Sequence, residues 1–157
     1  MRKLPGDASP RTNFRNAQLL IIEDDPDHGQ IIEKAIRQCL PEVKPVLVGS
    51  KDEALAQLEQ YTSSSWKLLK VILLDLYLPG RDDGWTILET IHQKAATHGK
   101  VPVVLLSYSD NPSDVEQAYD MGCASYVVKP SGYPDWIAYF ETFRTYWWET
   151  VVLPGMR

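Results

Sequence analysis

Short apolar runs alternate with stretches of helical periodicity along most of the chain. The runs lie at residues 19–22, 46–48, 71–74, 101–106 and 125–128. Each run has the length of a strand that is buried on both faces. The stretches between them place apolar residues three or four positions apart, as amphipathic helices do. Five strands alternating with five helices predict a doubly wound α/β fold with a parallel sheet.

The two ends of the chain lack this pattern. Residues 1–16 are polar and contain Pro and Gly, which predicts a flexible N-terminal tail. We assign one domain to residues 17–150 and a C-terminal tail to 151–157, because a chain of 157 residues suits a single domain of this kind. Within the domain, residues 62–65 predict a loop. The last helix is expected to bury a stripe formed by Ile137, Phe140, Phe143 and Trp147.

Composition narrows the classes of function. A formal charge of −5 gives no electrostatic reason to bind nucleic acid or an anionic membrane. No apolar run is long enough to span a bilayer, and no signal peptide is recognisable, so we expect a cytoplasmic protein. Cys39 and Cys123 are predicted to be buried free thiols. His28, His92 and His98 have no ligand spacing and are expected to be surface or hydrogen-bonded histidines.

Chemically active side chains stand where four of the predicted strands end. Glu23 and Asp24 follow the first strand, Asp75 ends the third, Ser107 the fourth and Lys129 the fifth. Because parallel strands connected by right-handed crossovers share one carboxyl edge, these side chains should converge there. Each also has a simpler explanation taken alone: a turn or helix-start acid, a loop serine or a surface lysine.

The combination predicts phosphoryl chemistry. Three neighbouring carboxylates repel one another unless a cation joins them, and oxygen ligands favour Mg²⁺ over zinc. Magnesium accepts phosphate as a further ligand, Lys129 offers it a positive charge, and Ser107 can donate a hydrogen bond. A carboxylate such as Asp75 that attacks phosphorus forms an aspartyl phosphate.

These motifs together resemble the receiver domain of two-component response regulators. The resemblance covers about residues 17–148. It rests on Glu23-Asp24, on Asp75 followed by Leu78-Pro79 and Gly84, on Ser107, and on Tyr126-Val127-Val128-Lys129-Pro130. It implies a flavodoxin-like (βα)5 fold, a five-stranded parallel sheet in the order 2-1-3-4-5, and Mg²⁺ as the cofactor.

The resemblance also implies a role for each acidic residue at the strand ends. Asp75 corresponds to the phosphoacceptor. Asp24 corresponds to the direct metal ligand and Glu23 to its water-mediated partner, with Asp75 as a further ligand. Tyr77 stands where the family supplies a backbone carbonyl to the metal.

The remaining matches imply the phosphate contacts and the switch. Lys129 corresponds to the phosphate-binding lysine, and the resemblance implies a cis Lys129–Pro130 bond. Ser107 corresponds to the hydroxyl that follows the phosphoryl group, and Tyr126 to the aromatic residue that turns inward on activation.

Three features depart from the family pattern. The turn before Gly84 is one residue longer than usual. Tyr108 follows Ser107 where a small residue is typical, so we expect it to restrict the inward motion of Tyr126. Tyr77 and Ser109 occupy positions that tune water access in the family. We expect the bulky Tyr77 to shield the acyl phosphate and lengthen its lifetime.

The predicted function is a single-domain response regulator, not an enzyme. It would accept a phosphoryl group on Asp75 from a sensor histidine kinase or a phosphotransfer protein. The aromatic C-terminal segment resembles that of small regulators paired with bacterial phytochrome-type kinases. Trp136, Tyr139, Tyr146, Trp147 and Trp148 are too many for one buried helix face, so we expect a homodimer or partner contact through the last helix and tail.

Two alternatives remain open at this stage. One is a pseudo-receiver, an interaction module that takes no phosphate, although the acid cluster and Lys129 speak against it. The other is a phosphohydrolase that works through an aspartyl phosphate. Against this second reading, Asp75 has no second acid two residues later to act as general acid, since Tyr77 stands there.

Overall fold

Five parallel strands form one sheet in the order β2-β1-β3-β4-β5 in the computed structural model, which describes residues 16–153. The strands are β1 (Gln18–Ile22), β2 (Lys44–Val48), β3 (Leu69–Asp75), β4 (Val103–Ser107) and β5 (Ser125–Val128). The helices are α1 (Pro26–Cys39), α2 (Lys51–Gln60), α3 (Ser63–Trp66), α4 (Arg81–His98), α5 (Pro112–Asp120) and α6 (Tyr133–Phe143). The predicted flavodoxin-like strand order is confirmed. The predicted N-terminal tail, apart from Asn16, and residues 154–157 of the C-terminal tail lie outside the described residues.

Alternate residues of the central strands enter two separate apolar cores. All of β3 is buried, which explains why its apolar run is continuous rather than alternating. One core lies beneath α2, α4 and α5 and receives Leu20, Ile22, Ile72 and Leu74. The other lies beneath α1 and α6 and receives Leu19, Ile21, Val71 and Leu73. The sheet is therefore covered on both faces, and its carboxyl edge remains open for a site.

The loop predicted at residues 62–65 is wrong, because one helical turn, α3, lies there. Thr62 Oγ1 accepts a hydrogen bond from Ser65 N at 3.1 Å, and Ser65 Oγ accepts one from Thr62 N at 2.8 Å. This reciprocal cap satisfies backbone donors at the start of the turn. Trp66 at its end is buried against the core and donates to Gly99 O at 2.7 Å. The burial of Trp66 stabilises a turn that its serine-rich sequence does not predict.

The predicted buried stripe of the last helix is also partly wrong. The fully buried residues are Trp136, Phe140, Phe143 and Trp148, whereas Trp147 is half-buried. The helix continues past Phe143 as a π-helical turn, Arg144–Trp148. A π turn contains more residues than an α turn, so it advances the buried position by one. Trp136 and Trp148 belong to the core, and the exposed aromatic surface is smaller than the sequence suggested.

The bond expected to be cis, Lys129–Pro130, is trans. Among the described residues the cis bond lies at Leu78–Pro79. The two isomers of an X–Pro bond differ by only about 0.5–1 kcal/mol, so the dipeptide itself does not decide between them. Cys39 and Cys123 are free thiols, as predicted, but only Cys123 is buried, whereas Cys39 is half-buried. Within residues 16–153, none of the helices combines the length and the apolar character needed to cross a bilayer.

Candidate functional site

The carboxyl edge of the sheet brings the predicted site residues together. The register pairs Ile22 with Leu74, Asp75 with Leu106 and Ser107 with Val128, so the strands end at nearly the same level. A cleft of about 510 Å³ opens at this edge. Its walls are formed by Asp24, Asp25, His28, Asp75, Tyr77, Tyr108, Ser109 and Lys129. Glu23 and Ser107 are buried beside it.

Lys129 connects two buried carboxylates of this site. Its Nζ lies 2.6 Å from Glu23 Oε1 and 3.1 Å from Asp75 Oδ2. All three side chains are almost inaccessible to solvent. Hydrogen bonds between charged groups are strong in such surroundings, and neither carboxylate could stay ionised there without a cation. The ammonium group therefore holds the acidic side chains at one point.

Burial and neighbouring negative charge raise the pKa values of two of these carboxylates, those of Asp75 and Asp24. Burial, followed by contact with Glu23, raises the pKa of Asp75 to about 7, against the opposing effect of Lys129. Burial and the charge of Asp75 likewise raise the pKa of Asp24. Burial alone would lower the pKa of Lys129, but its two carboxylate partners outweigh this and raise it. The site thus has more negative charge than one ammonium group neutralises.

The acidic residues fit a hard divalent cation. One oxygen each from Glu23, Asp24 and Asp75 lie within 4.8 Å of one another. Glu23 Oε2 is buried and has no hydrogen-bond partner among residues 16–153. Such an orphaned acceptor is costly unless a cation or water satisfies it. The remaining predicted ligand is the backbone carbonyl of Tyr77, two residues after Asp75 in the sequence. The backbone N of Tyr77 donates a hydrogen bond to Asp75 Oδ1 at 3.2 Å.

The two predicted switch residues, Ser107 and Tyr126, both form hydrogen bonds with Ser109. Ser107 is fully buried, and its Oγ accepts a hydrogen bond from Ser109 N at 3.0 Å. The hydroxyl of Tyr126 donates to Ser109 O at 2.7 Å, with the ring half-buried. Tyr108, expected to restrict Tyr126, contacts His28 and Lys129 in the structure. Ser107 and Tyr126 are therefore connected through the backbone of Ser109.

His28 belongs to the site, and sequence reasoning missed it. Asp25 caps α1 by accepting hydrogen bonds from the backbone N of Asp27 and His28, and this places His28 at the cleft. Its Nδ1 lies 3.0 Å from Glu23 Oε1, and its Nε2 lies 2.9 Å from the hydroxyl of Tyr108. The available signal was its position in the first turn of the helix that follows the acidic pair.

Asp114 is the second residue that sequence reasoning missed. It is buried and accepts hydrogen bonds from Tyr77 Oη at 3.1 Å, from Ser109 Oγ at 2.8 Å and from Arg81. Burial opposes its ionisation, but these donors prevail and lower the pKa of Asp114. The sequence holds no signal for this cluster, because its members come from three separate segments.

Comparison with known proteins identifies the family. The response regulator receiver domain model matches residues 19–141. Response regulator Rcp1 of Synechocystis sp. is 29% identical over 140 residues, which cover 87% of this chain and 92% of Rcp1. The transcriptional activator protein IrlR of Burkholderia pseudomallei is 29% identical over 121 residues, 77% of this chain but only 47% of IrlR. The chain thus spans about half the length of that relative.

Solved structures agree with the sequence relatives. The phosphorylated cyanobacterial phytochrome response regulator RcpA superposes with a TM-score of 0.76 at 28% identity, covering 88% of this chain and 99% of RcpA. The Mn(2+)-bound form of Rcp1 gives a TM-score of 0.72 at 26% identity, with coverage of 88% and 99%. On the strength of its fold, its site residues and the match over residues 19–141, the chain belongs to the response regulator receiver domain family.

Proposed function

We propose that Asp75 accepts a phosphoryl group from a phosphohistidine of a sensor histidine kinase or a phosphotransfer protein, in a reaction that depends on Mg²⁺. The observation that carries the proposal is the position of Asp75. Its carboxylate lies at an open cleft, held by Lys129 at 3.1 Å and clustered with two further acids. The chain acts as a phosphoryl acceptor and signal carrier rather than as an enzyme.

The chemistry is a single displacement at phosphorus. An ionised oxygen of Asp75 attacks the phosphorus, the P–N bond to the donor imidazole breaks, and the leaving ring takes up a proton. The ammonium of Lys129 neutralises charge on the transferred group, and the hydroxyl of Ser107, which only accepts from Ser109 N, can donate its hydrogen to one of the phosphoryl oxygens. Because the pKa of Asp75 is raised to about 7, any group that favours its ionised form also favours the attack.

The cation site is assigned to Glu23, Asp24, Asp75 and the backbone carbonyl of Tyr77. Mg²⁺ suits this set because every ligand is oxygen. When bound, Mg²⁺ supplies positive charge that offsets the charge of the phosphoryl oxygens. The Mn(2+)-bound form of the relative Rcp1 supports a divalent cation here. The orphaned Glu23 Oε2 supports it independently.

The output follows from Ser107 and Tyr126. We assign to Ser107 a shift toward the phosphoryl group, carried to Tyr126 through their shared partner Ser109. Phosphorylation then biases a pre-existing equilibrium between two positions of this segment. The surface around Tyr126 is the part of the domain that changes.

The partner assignment has two parts. The phosphodonor is a histidine kinase or a phosphotransfer protein, and the likeness to the phytochrome response regulator RcpA favours a phytochrome-type kinase. The last helix and the tail form a contact with a second copy of the chain or with a partner protein. With Trp136 and Trp148 buried, the aromatic part of this contact reduces to Tyr146 and the half-buried Tyr139 and Trp147.

Intact-protein mass after incubation with acetyl phosphate tests the proposal. We expect one phosphoryl adduct on the wild type that requires Mg²⁺ and is absent from Asp75→Asn. Asp120→Asn, a change at an exposed acid on α5, is the matched control and should be modified like the wild type.

The other outcomes favour the alternatives. No adduct with acetyl phosphate or phosphoramidate, at any Mg²⁺ concentration, favours a pseudo-receiver and overturns the proposal. Catalytic turnover of a phosphate ester that Asp75→Asn abolishes favours a phosphohydrolase instead.

A further inference from the structure

His28 lies between Glu23, which is buried, and Tyr108, which is exposed. Its Nδ1 is 3.0 Å from Glu23 Oε1, and its Nε2 is 2.9 Å from the hydroxyl oxygen of Tyr108. One tautomer satisfies both contacts, with Nδ1–H donating to the carboxylate and Nε2 accepting from the tyrosine. The two rings also meet edge to face, 5.6 Å between centroids. A hydrogen-bonded chain therefore runs from Tyr108, which is 62% exposed, to the buried Glu23.

Lys129 would divide its hydrogen bonds among three acceptors in the phosphorylated protein. It already donates to Glu23 Oε1 at 2.6 Å and to Asp75 Oδ2 at 3.1 Å. In the proposed function it must also pair with the phosphoryl group on Asp75. The ammonium group has a third N–H for a phosphoryl oxygen, but a shift of Nζ toward that oxygen lengthens its contact with Glu23 Oε1. A buried acceptor whose donor moves away is costly, so a second donor stabilises Glu23.

His28 is that second donor. It contacts the same oxygen, Oε1, that Lys129 contacts. A hydrogen bond to Oε1 restrains the rotation of the carboxylate and hence the position of Oε2. Oε2 is the buried oxygen without a partner among the described residues. Groups that orient a metal-binding side chain in this way contribute strongly to the affinity of a site.

We propose that His28, supported by Tyr108, is a positioning residue of the cation site that holds Glu23 Oε1 so that Oε2 stays available to Mg²⁺. His28 also keeps Glu23 hydrogen-bonded when Lys129 turns to the phosphoryl group. This inference rests on the proposed function, because it assigns His28 a task in the same site. It assigns His28 no contact with the phosphoryl group itself.

Equilibrium binding of Mg²⁺, without any phosphodonor, tests this role. Metal-free protein is titrated with Mg²⁺ by isothermal calorimetry. His28→Ala is expected to raise the Kd by about tenfold. His28→Asn should recover most of the affinity, because its amide can present an N–H close to the position of Nδ1. A loss without this recovery contradicts an orienting hydrogen bond.

Substitution of Tyr108 tests the same role independently. Tyr108→Phe removes only a hydroxyl, and we expect the Kd to rise a few-fold, as for one lost hydrogen bond. The same change in the His28→Asn background should have no effect, since asparagine lacks the second ring nitrogen that accepts from Tyr108. Asp120→Asn, at an exposed acid on α5, is the control and should leave the Kd unchanged.

The outcomes separate this inference from the function on which it rests. A wild type that binds no Mg²⁺ overturns both. A wild type that binds Mg²⁺, with the same Kd in a folded His28→Ala, overturns the inference and leaves the function standing. Thermal unfolding reports whether each variant is folded. If His28→Ala does not fold, Tyr108→Phe decides, and an unchanged Kd in that variant overturns the inference.

Discussion

The hydroxyl of Tyr77 donates a hydrogen bond to Asp114 Oδ2 across 3.1 Å. This bond joins the segment after β3 to the first turn of α5. Arg81 and Ser109 donate to the same carboxylate, so four side chains meet at the buried Asp114. Tyr77, which is 37% exposed, is thereby held in the wall of the cleft that contains Asp75. The position agrees with a shielding role for its ring, which stays a prediction.

Loss of the Tyr77 ring should shorten the lifetime of the phosphoryl group. We expect Tyr77→Ala to speed loss of phosphate from Asp75 several-fold, because water gains access to the acyl phosphate. Tyr77→Phe retains the ring but not the bond to Asp114, and should have an intermediate rate. The decay of the phosphorylated mass after removal of the donor measures this, with Tyr146→Ala as the control. Equal decay in the wild type and in Tyr77→Ala contradicts shielding.

Gly84 should be intolerant of even a methyl group. A Cβ at Gly84 would lie 2.0 Å from the carbonyl oxygen of Leu76, a backbone atom that follows Asp75 directly. We expect Gly84→Ala to lower the free energy of unfolding by about 2 kcal/mol or more and to slow phosphorylation by displacing Asp75. At Gly49 the nearest atoms to a Cβ lie at 3.6 and 3.9 Å, so Gly49→Ala is a matched control. Urea denaturation curves with the same midpoint for both variants would count against this account.

The raised pKa of Asp75 should make stability depend on pH. The folded protein holds a proton on Asp75 up to about pH 7, whereas the unfolded chain releases it near the ordinary value of 3.8. The folded state is therefore favoured at low pH, and this advantage is lost as the pH rises from about 4 through 7. Asp75→Asn cannot ionise, so without divalent cations its melting temperature should exceed that of the wild type at pH 8, by roughly 4 °C or more.

The melting-temperature difference between Asp75→Asn and the wild type should shrink as the pH falls to 5. Acids away from the cleft titrate alike in both proteins, so the difference isolates Asp75 and the acids coupled to it, such as Asp24. Thermal unfolding in EDTA across this pH range measures it, with Asp120→Asn as a control that should track the wild type. A difference that does not change with pH means that Asp75 is ionised throughout the range.

The last helix carries a buried tryptophan, Trp148, and an exposed tyrosine, Tyr146. Trp148 is fully buried next to Phe143, with ring centroids 5.6 Å apart. We expect Trp148→Ala to cost about 3–5 kcal/mol of stability. Tyr146→Ala should cost little, because half of its surface is exposed. Trp148→Ala is therefore unsuited to testing the proposed contact between copies.

Tyr146→Ala is the variant that tests this contact. If the last helix contacts a second copy, size-exclusion chromatography with light scattering should show a dimer of the wild type at high concentration that Tyr146→Ala weakens. A wild type that remains monomeric at every concentration removes the homodimer from the proposal. Chemical denaturation of both variants checks that the loss is not one of folding.

Much of the site could be derived from the chain itself. Strand periodicity located the carboxyl ends of β1, β3, β4 and β5, and parallel topology requires these ends to share one edge. Glu23, Asp24, Asp75, Ser107 and Lys129 converge for that reason, and their types predict oxygen ligands, a nucleophile and a counter-charge. Local signals also located the start of α1, where Asp25 caps the helix before Pro26.

The features that the sequence did not reveal depend on contacts between distant residues. His28 and Tyr108 are 80 positions apart, and Tyr77 and Asp114 are 37 apart. Local periodicity carries no information on such pairs, because loop packing decides which side chains meet. The single turn α3 forms because Trp66 is buried, and the π turn after Phe143 forms where Trp148 enters the core. The sequence by itself determined the alternation of strands and helices and the chemistry of the sheet's open edge, whereas the strand order was implied by the family resemblance. Only the tertiary structure decided which neighbours hold that chemistry in place, since those contacts exist only once the helices have packed on both faces of the sheet.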